Sequence, residues 1–255
     1  MHTTVELAEI AADILSRIRT RTPRVHCITN SVAQQYTANM LLAAGAVPSM
    51  TISPEEIGAF VDAADALLVN LGTFDDERRA AIETAVASAH AARKPWVLDP
   101  VFIQASPSRA QFARGLLGLR PAVVRLNAAE FAALAGGDQT GDAPARLAKE
   151  HATVIALTGG VDHVTDGVRR AVIANGDPLM GLVTALGCAG SALVSAALAV
   201  ESDAFVAASA VLTAFGVAGE AAARDARGPG TFAHAIIDAF YNLDRATLRE
   251  RARVS

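Results

Sequence analysis

Residues 66–100 read ALLVNLGTFDDERRAAIETAVASAHAARKPWVLDP. Ala66 to Asn70 is a short apolar run ending in an amide, and Trp96 to Asp99 is a second run stopped by Pro100. A helical period runs between them from about Asp75 to Ala92, with Asp75 and Asp76 suited to its first turn. Two apolar strands joined by a helix make a βαβ unit. Such units imply a mostly parallel sheet with helices on both faces.

The same alternation continues outward. Val25 to Thr29 reads as a strand, followed by a helix from Val32 to Ala44 that ends at Gly45. Val123 to Leu126 and Thr153 to Leu157 are further short apolar strands. Val161 to Ala174 alternates around Asp166-Gly167, which predicts a hairpin with a two-residue turn. Ala189 to Leu243 reads as largely helical, broken at Gly228-Pro229-Gly230. Residues 1–22, with Glu6, Glu9 and Asp13 among apolar positions, predict an amphipathic helix rather than a signal peptide. Residues 244–255 read as a polar tail, with Arg249, Arg251 and Arg253 on a solvated helix face. With no linker or internal repeat between these pieces, residues 1–255 are expected to form a single α/β domain.

Composition narrows the function classes. Of the 255 residues 52% are hydrophobic and 19% charged, ample material for a large core. A net charge of −4 without a Lys/Arg cluster argues against a nucleic-acid surface. Two distant cysteines suit a reducing compartment and supply neither a disulfide framework nor a Cys-based zinc site. Met180 to Val200 and Ala204 to Gly219 contain no charged residue. Their Ala, Gly, Ser and Val content reads as two buried helices, with a transmembrane hairpin as the alternative.

In open α/β sheets, ligands gather at the C-terminal ends of the strands. The polar residues there are Thr29-Asn30, Asn70, Asp99, Asn127 and Thr158-Gly159-Gly160. Asp99 is placed to hold magnesium or meet a reacting hydroxyl. Asn127 and Glu130 have the spacing of a helix N-cap and its capping-box partner. Cys188 falls where an uncharged helix begins. It either fills a buried helix start as a small apolar residue or faces the positive end of the dipole as a reactive thiol. His26 and Cys27 read as core residues, and Asp162 and Asp166 as servants of the hairpin turn.

Taken in order, these pieces carry a resemblance. Val25-His26-Cys27-Ile28-Thr29-Asn30, Tyr36-Thr37-Ala38-Asn39, Asp99-Pro100-Val101, Asn127-Ala128-Ala129-Glu130 and Asn175-Gly176-Asp177-Pro178 resemble the hydroxyethylthiazole kinase family of the ribokinase-like superfamily. So do Phe215-Gly216-Val217-Ala218-Gly219-Glu220 and Gly228-Pro229-Gly230. The resemblance implies a ribokinase-like three-layer fold and ATP-dependent phosphorylation of the hydroxyethyl group of 4-methyl-5-(2-hydroxyethyl)thiazole, a thiamine salvage step. It implies Cys188 as the catalytic residue, with Asn30, Met50, Ala185 and Gly187 at the thiazole. Arg125, Asn127 and Thr158 fall to ATP, and Asp99 and Glu130 to magnesium. It further implies a cytoplasmic homotrimer with sites between subunits and no membrane or nucleic-acid partner. Alternatives within the superfamily are a hydroxymethylpyrimidine kinase and an ATP-dependent hydrated-nicotinamide dehydratase. A non-catalytic thiazole-binding protein is a further alternative.

Three departures accompany the resemblance. The family's Gly-Thr-Gly-Cys is Ala185-Leu186-Gly187-Cys188 here, which is expected to remove access to positive φ and one hydroxyl. Phe102-Ile103-Gln104 replaces glycines after Asp-Pro-Val, which is expected to narrow the nucleotide end. Arg-Gly-Asn becomes Arg125-Leu126-Asn127, adding bulk beside the phosphate contact. A thiol near its usual pKa of about 8.5 is expected at Cys188 as a base.

Overall fold

Side chains alternate across the strands, and that alternation builds two cores. Val25, Cys27, Leu68, Val97 and Val123 pack into one apolar cluster. Ile28, Leu67, Val69, Leu98 and Val124 pack into the other. The computed structural model describes residues 4–136 and 142–255.

A single eight-stranded sheet separates the two cores, in the order β2-β1-β3-β4-β5-β6-β7-β8. The strands β1 (Arg24–Ile28), β2 (Val47–Ser49), β3 (Ala66–Asn70), β4 (Trp96–Asp99), β5 (Val123–Asn127) and β6 (Val154–Thr158) are parallel. The antiparallel pair β7 (Asp162–Thr165) and β8 (Arg170–Ile173) extends the sheet beyond β6. Helices α1 (Thr4–Arg21), α2 (Gln34–Ala44), α8 (Leu186–Leu198), α9 (Ala204–Ala223), α10 (Pro229–Tyr241) and α11 (Arg245–Arg251) cover the first face. Helices α3 (Ile57–Ala63), α4 (Asp76–Ala91), α5 (Pro107–Leu117), α6 (Ala128–Leu134) and α7 (Ala143–His151) cover the second. This is the three-layer α/β architecture expected from the alternating pattern.

Several elements differ from the sequence reading. The hairpin between β7 and β8 has four residues, Asp166 to Arg169, in place of two. Asp166 Oδ1 accepts from the Val168 and Arg169 amides, so a side chain closes the turn. Residues 244–255 are not a free tail. Leu248 and Val254 are buried, Val172 and Ser255 exchange two backbone hydrogen bonds, and Arg245 and Arg249 both pair with Glu9. Strand β2 and helix α3 were not anticipated. The residues read as two buried helices are α8 and α9. α9 is long and apolar enough to cross a membrane, but 83% of that apolar window is buried inside the protein.

Candidate active site

Register aligns the strand ends. Asn70 pairs with Asp99 across β3 and β4, and Asn127 pairs with Thr158 across β5 and β6. The N-terminus of α8 faces this edge, so Cys188, the third residue of the helix, meets the polar ends of four strands. Gly190 allows the approach: a Cβ there would stand 3.1 Å from the Arg125 guanidinium.

A continuous polar chain links the thiol to the sheet. Asn30 Nδ2 donates to Cys188 Sγ at 3.2 Å and to Asn70 Oδ1 at 3.3 Å. Asn70 Nδ2 donates to Asp99 Oδ2 at 2.7 Å, where Ser191 Oγ donates at 2.8 Å. Asn30, Asn70, Asp99 and Ser191 are all buried. Among the described residues, Asn30 Oδ1 and Arg125 Nε are buried without a partner. Such atoms are costly unless a ligand satisfies them.

The chemistry of both ionisable groups is shifted. Burial pushes Asp99 up to about 6, with the Glu130 charge adding to the rise while Arg125, Ser191 and Asn70 oppose it. Burial also pushes the Cys188 thiol up to about 11, reinforced by the Asp99 charge. The expectation of a thiol near its usual value is therefore corrected. Desolvation and the Asp99 charge outweigh the hydrogen bonds from Asn30 and Asn70 and the Arg125 charge, and Cys188 rests as a neutral thiol at pH 7.

Asn127 and Glu130 form the capping box that their spacing predicted. Glu130 Nα donates to Asn127 Oδ1 at 3.0 Å, and Glu130 Oε2 accepts from the Asn127 amide at 2.9 Å. Glu130 Oε1 also accepts from the Phe102 amide at 3.0 Å. This carboxylate therefore ties β5 to the loop after β4 while lining the same cavity as Asp99.

Two cavities meet here. The first, about 420 Å³, is lined by Asn30, Asp99, Glu130, Ala185, Cys188 and Phe102 among others. The second, about 540 Å³, runs past Gly159, Gly160, Gly176 and Phe215. Arg125, Asn127, Thr158 and Gly187 line both. Arg125 is held at this junction by Nη1 donating to Gly187 O at 2.8 Å. Thr158 Oγ1 donates to Leu126 O at 3.3 Å, and the Gly159 amide donates to Asp162.

Nine of the ten expected site residues thus line one or both cavities. Met50 is the exception. It follows β2, is half-buried, packs against the first core and lines neither cavity. His26 is buried as expected and grips the neighbouring segment through Ser49 Oγ and Thr51 O. Cys27 is fully buried, and desolvation raises its pKa. Asn70 was expected at the strand ends without an assigned role, and Ser191 was not singled out. Ser191 lies one helical turn after Cys188, a spacing that places both on one face.

The departures also look different in three dimensions. Ala185 caps α8 at φ 73°, so positive φ is kept without glycine. Phe102 likewise adopts φ 59°. It lines the chamber of Cys188 and does not line the second chamber, while Ile103 is buried in the core.

Comparison with known proteins identifies the family. A model described as the hydroxyethylthiazole kinase family matches residues 15–246. A probable hydroxyethylthiazole kinase of Agrobacterium fabrum is 45% identical, with 96% of this chain and 94% of the relative covered. A hydroxyethylthiazole kinase of Granulibacter bethesdensis is also 45% identical, with 97% and 95% covered. The solved structure of a hydroxyethylthiazole kinase protein from Pyrococcus horikoshii OT3 superposes with a TM-score of 0.93 at 36% identity, covering 97% of this chain and 98% of that one.

Proposed function

The chain belongs to the hydroxyethylthiazole kinase family, and from that premise we propose that its two joined cavities hold a thiazole alcohol and ATP across Arg125. It is a kinase: it phosphorylates the hydroxyethyl group of 4-methyl-5-(2-hydroxyethyl)thiazole at the expense of ATP, in thiamine salvage. The observation that carries the site assignment is the buried chain from Cys188 through Asn30 and Asn70 to Asp99, whose Asn30, Asp99 and Cys188 line the first cavity.

The alcohol oxygen forms a bond to the γ-phosphorus, the bond from that phosphorus to the bridging oxygen breaks, and ADP leaves. Such transfer depends on positioning and charge cancellation more than on covalent catalysis. Arg125 supplies a fixed cation at the junction, and the first turn of α8 supplies backbone donors at the positive end of its dipole. Asn30 holds Cys188 Sγ in place to take the hydroxyl proton. Only the thiolate form of Cys188, after losing its own proton to solvent, could take that proton, and burial and the Asp99 charge hold the group toward the neutral thiol.

Asp99 and Glu130 suit magnesium. They are two oxygen donors on one cavity, and the charge of Glu130 raises Asp99. When bound there, magnesium would neutralise phosphate oxygens together with the Asp99 charge.

The place of Met50 supports the homotrimer with intersubunit sites. On its own chain it lines neither cavity, so the thiazole role that the resemblance implies for it fits a site on a neighbouring copy. Two free, buried cysteines support a cytoplasmic setting. Incubation with magnesium, ATP and the thiazole alcohol tests the assignment. Phosphorylated thiazole is the expected product; tight thiazole binding with no product overturns it. Light scattering of the purified protein tests the trimer.

A further inference from the structure

We propose that Phe102 is a specificity-determining residue whose ring packs against the heteroaromatic ring of the acceptor alcohol. This rests on the kinase reading and names a contact that the reading leaves open. Phe102 is 60% exposed yet lines the chamber that holds Cys188 and Asn30. Val32, 73% exposed, lines the same chamber. Two large apolar side chains therefore stand uncovered around a chamber whose other walls carry Asp99, Glu130 and Arg125. A planar ring with a polar hydroxyethyl arm matches that division, with the ring toward Phe102 and Val32 and the arm toward Cys188.

Backbone conformation points the same way. A bulky residue at φ 59° costs roughly 1–2 kcal/mol relative to ordinary backbone. The conformation is held from both sides, by the Phe102 amide donating to Glu130 Oε1 and by Ile103 anchored in the core. The ring is thus presented on a fixed backbone. Stacking on a flat ring contributes about 0.5–1.5 kcal/mol beyond area burial. Phe102 lines the chamber of Cys188 and not the chamber of Gly159, Gly160 and Gly176, which favours the acceptor over the nucleotide base as its partner.

The test compares Phe102→Gly, Phe102→Leu and Phe102→Tyr in steady-state kinetics. The expected KM for the thiazole alcohol rises about tenfold in Phe102→Gly and about threefold in Phe102→Leu, with Phe102→Tyr near the native value. In each variant kcat changes less than KM. Phe102→Gly relieves the strained backbone, so a rise in its Tm separates a lost contact from a damaged fold. Unchanged KM for the alcohol in both Phe102→Gly and Phe102→Leu overturns the inference, as does a change confined to the KM for ATP. If the native protein forms no phosphorylated thiazole, the kinase reading fails, and the Kd of the alcohol by calorimetry decides the Phe102 contact by the same comparison.

Discussion

Helices α8 and α9 are both Ala-rich and largely buried, yet they begin in opposite ways. α9 is closed by its own side chains: Asp203 accepts from the Phe205 and Val206 amides. Arg169 grips Asp203 with Nη1 at 2.6 Å and Nη2 at 2.9 Å, and its guanidinium lies 4.5 Å from the Phe205 ring. α8 begins on Ala185 with no side-chain cap and opens where the two cavities join. A capped helix start has spent its field on the protein itself. An uncapped start beside a cavity leaves that field for a ligand.

The sharpest way to break this comparison is Cys188→Ala. Turnover is expected to fall about 10²–10³-fold, with the Kd of the thiazole alcohol nearly unchanged. Native turnover would make Cys188 a packing residue, as inert as any on α9.

The two helix starts also have opposite pH signatures in the ligand-free protein. Asp99, beneath α8, holds more protons folded than unfolded, so its contribution to stability falls as pH rises from about 4 to about 6. The size is on the order of 3 kcal/mol, and Asp99→Asn is expected to flatten that decline in urea melts across pH. Asp203 is held below the usual carboxylate range by Arg169, so its contribution is present above about pH 4 and is lost as pH falls further. An identical pH profile for native protein and Asp99→Asn contradicts the desolvated Asp99.

Removing the closed cap comes next in size. Asp203→Ala is expected to cost about 1–2 kcal/mol, combining a lost N-cap with a partly exposed ion pair. Thermal unfolding reads this as a Tm lower by a few degrees, with turnover retained. The smallest effect is Ala185→Gly. Relief of positive φ outweighs the added unfolded-state freedom by less than about 1 kcal/mol, a slight rise in Tm. A fall in Tm would mean that Ala185 is unstrained.

Strand runs such as Leu67-Leu68-Val69 were legible because full burial writes itself as continuous apolar sequence. The polar residues at the strand ends were legible for the complementary reason that they interrupt those runs. β2 escaped because Val47-Pro48-Ser49 is short and edge-like, with only Ser49 and its neighbour β1 to mark it. The anchoring of the polar tail escaped because Leu248 and Val254 are isolated among charges. The state of Cys188 could not be read locally: its raised pKa arises from burial and from Asp99, brought close by the fold. Ala185 and Phe102 show the same limit in the backbone, because non-glycine residues adopt positive φ there, Phe102 with its amide held by Glu130.

Arg125, Asn127, Thr158 and Gly187 belong to both cavities, which has a pharmacological consequence. The chamber of Cys188 and the chamber of Gly159 and Gly160 therefore border each other along these four residues. One compound, a flat heterocycle joined to a nucleoside through a short polyphosphate tether, would occupy both chambers at once. Its second half binds at the high effective concentration set by the tether, so it is expected to exceed the affinity of either half by about 10²–10⁴-fold.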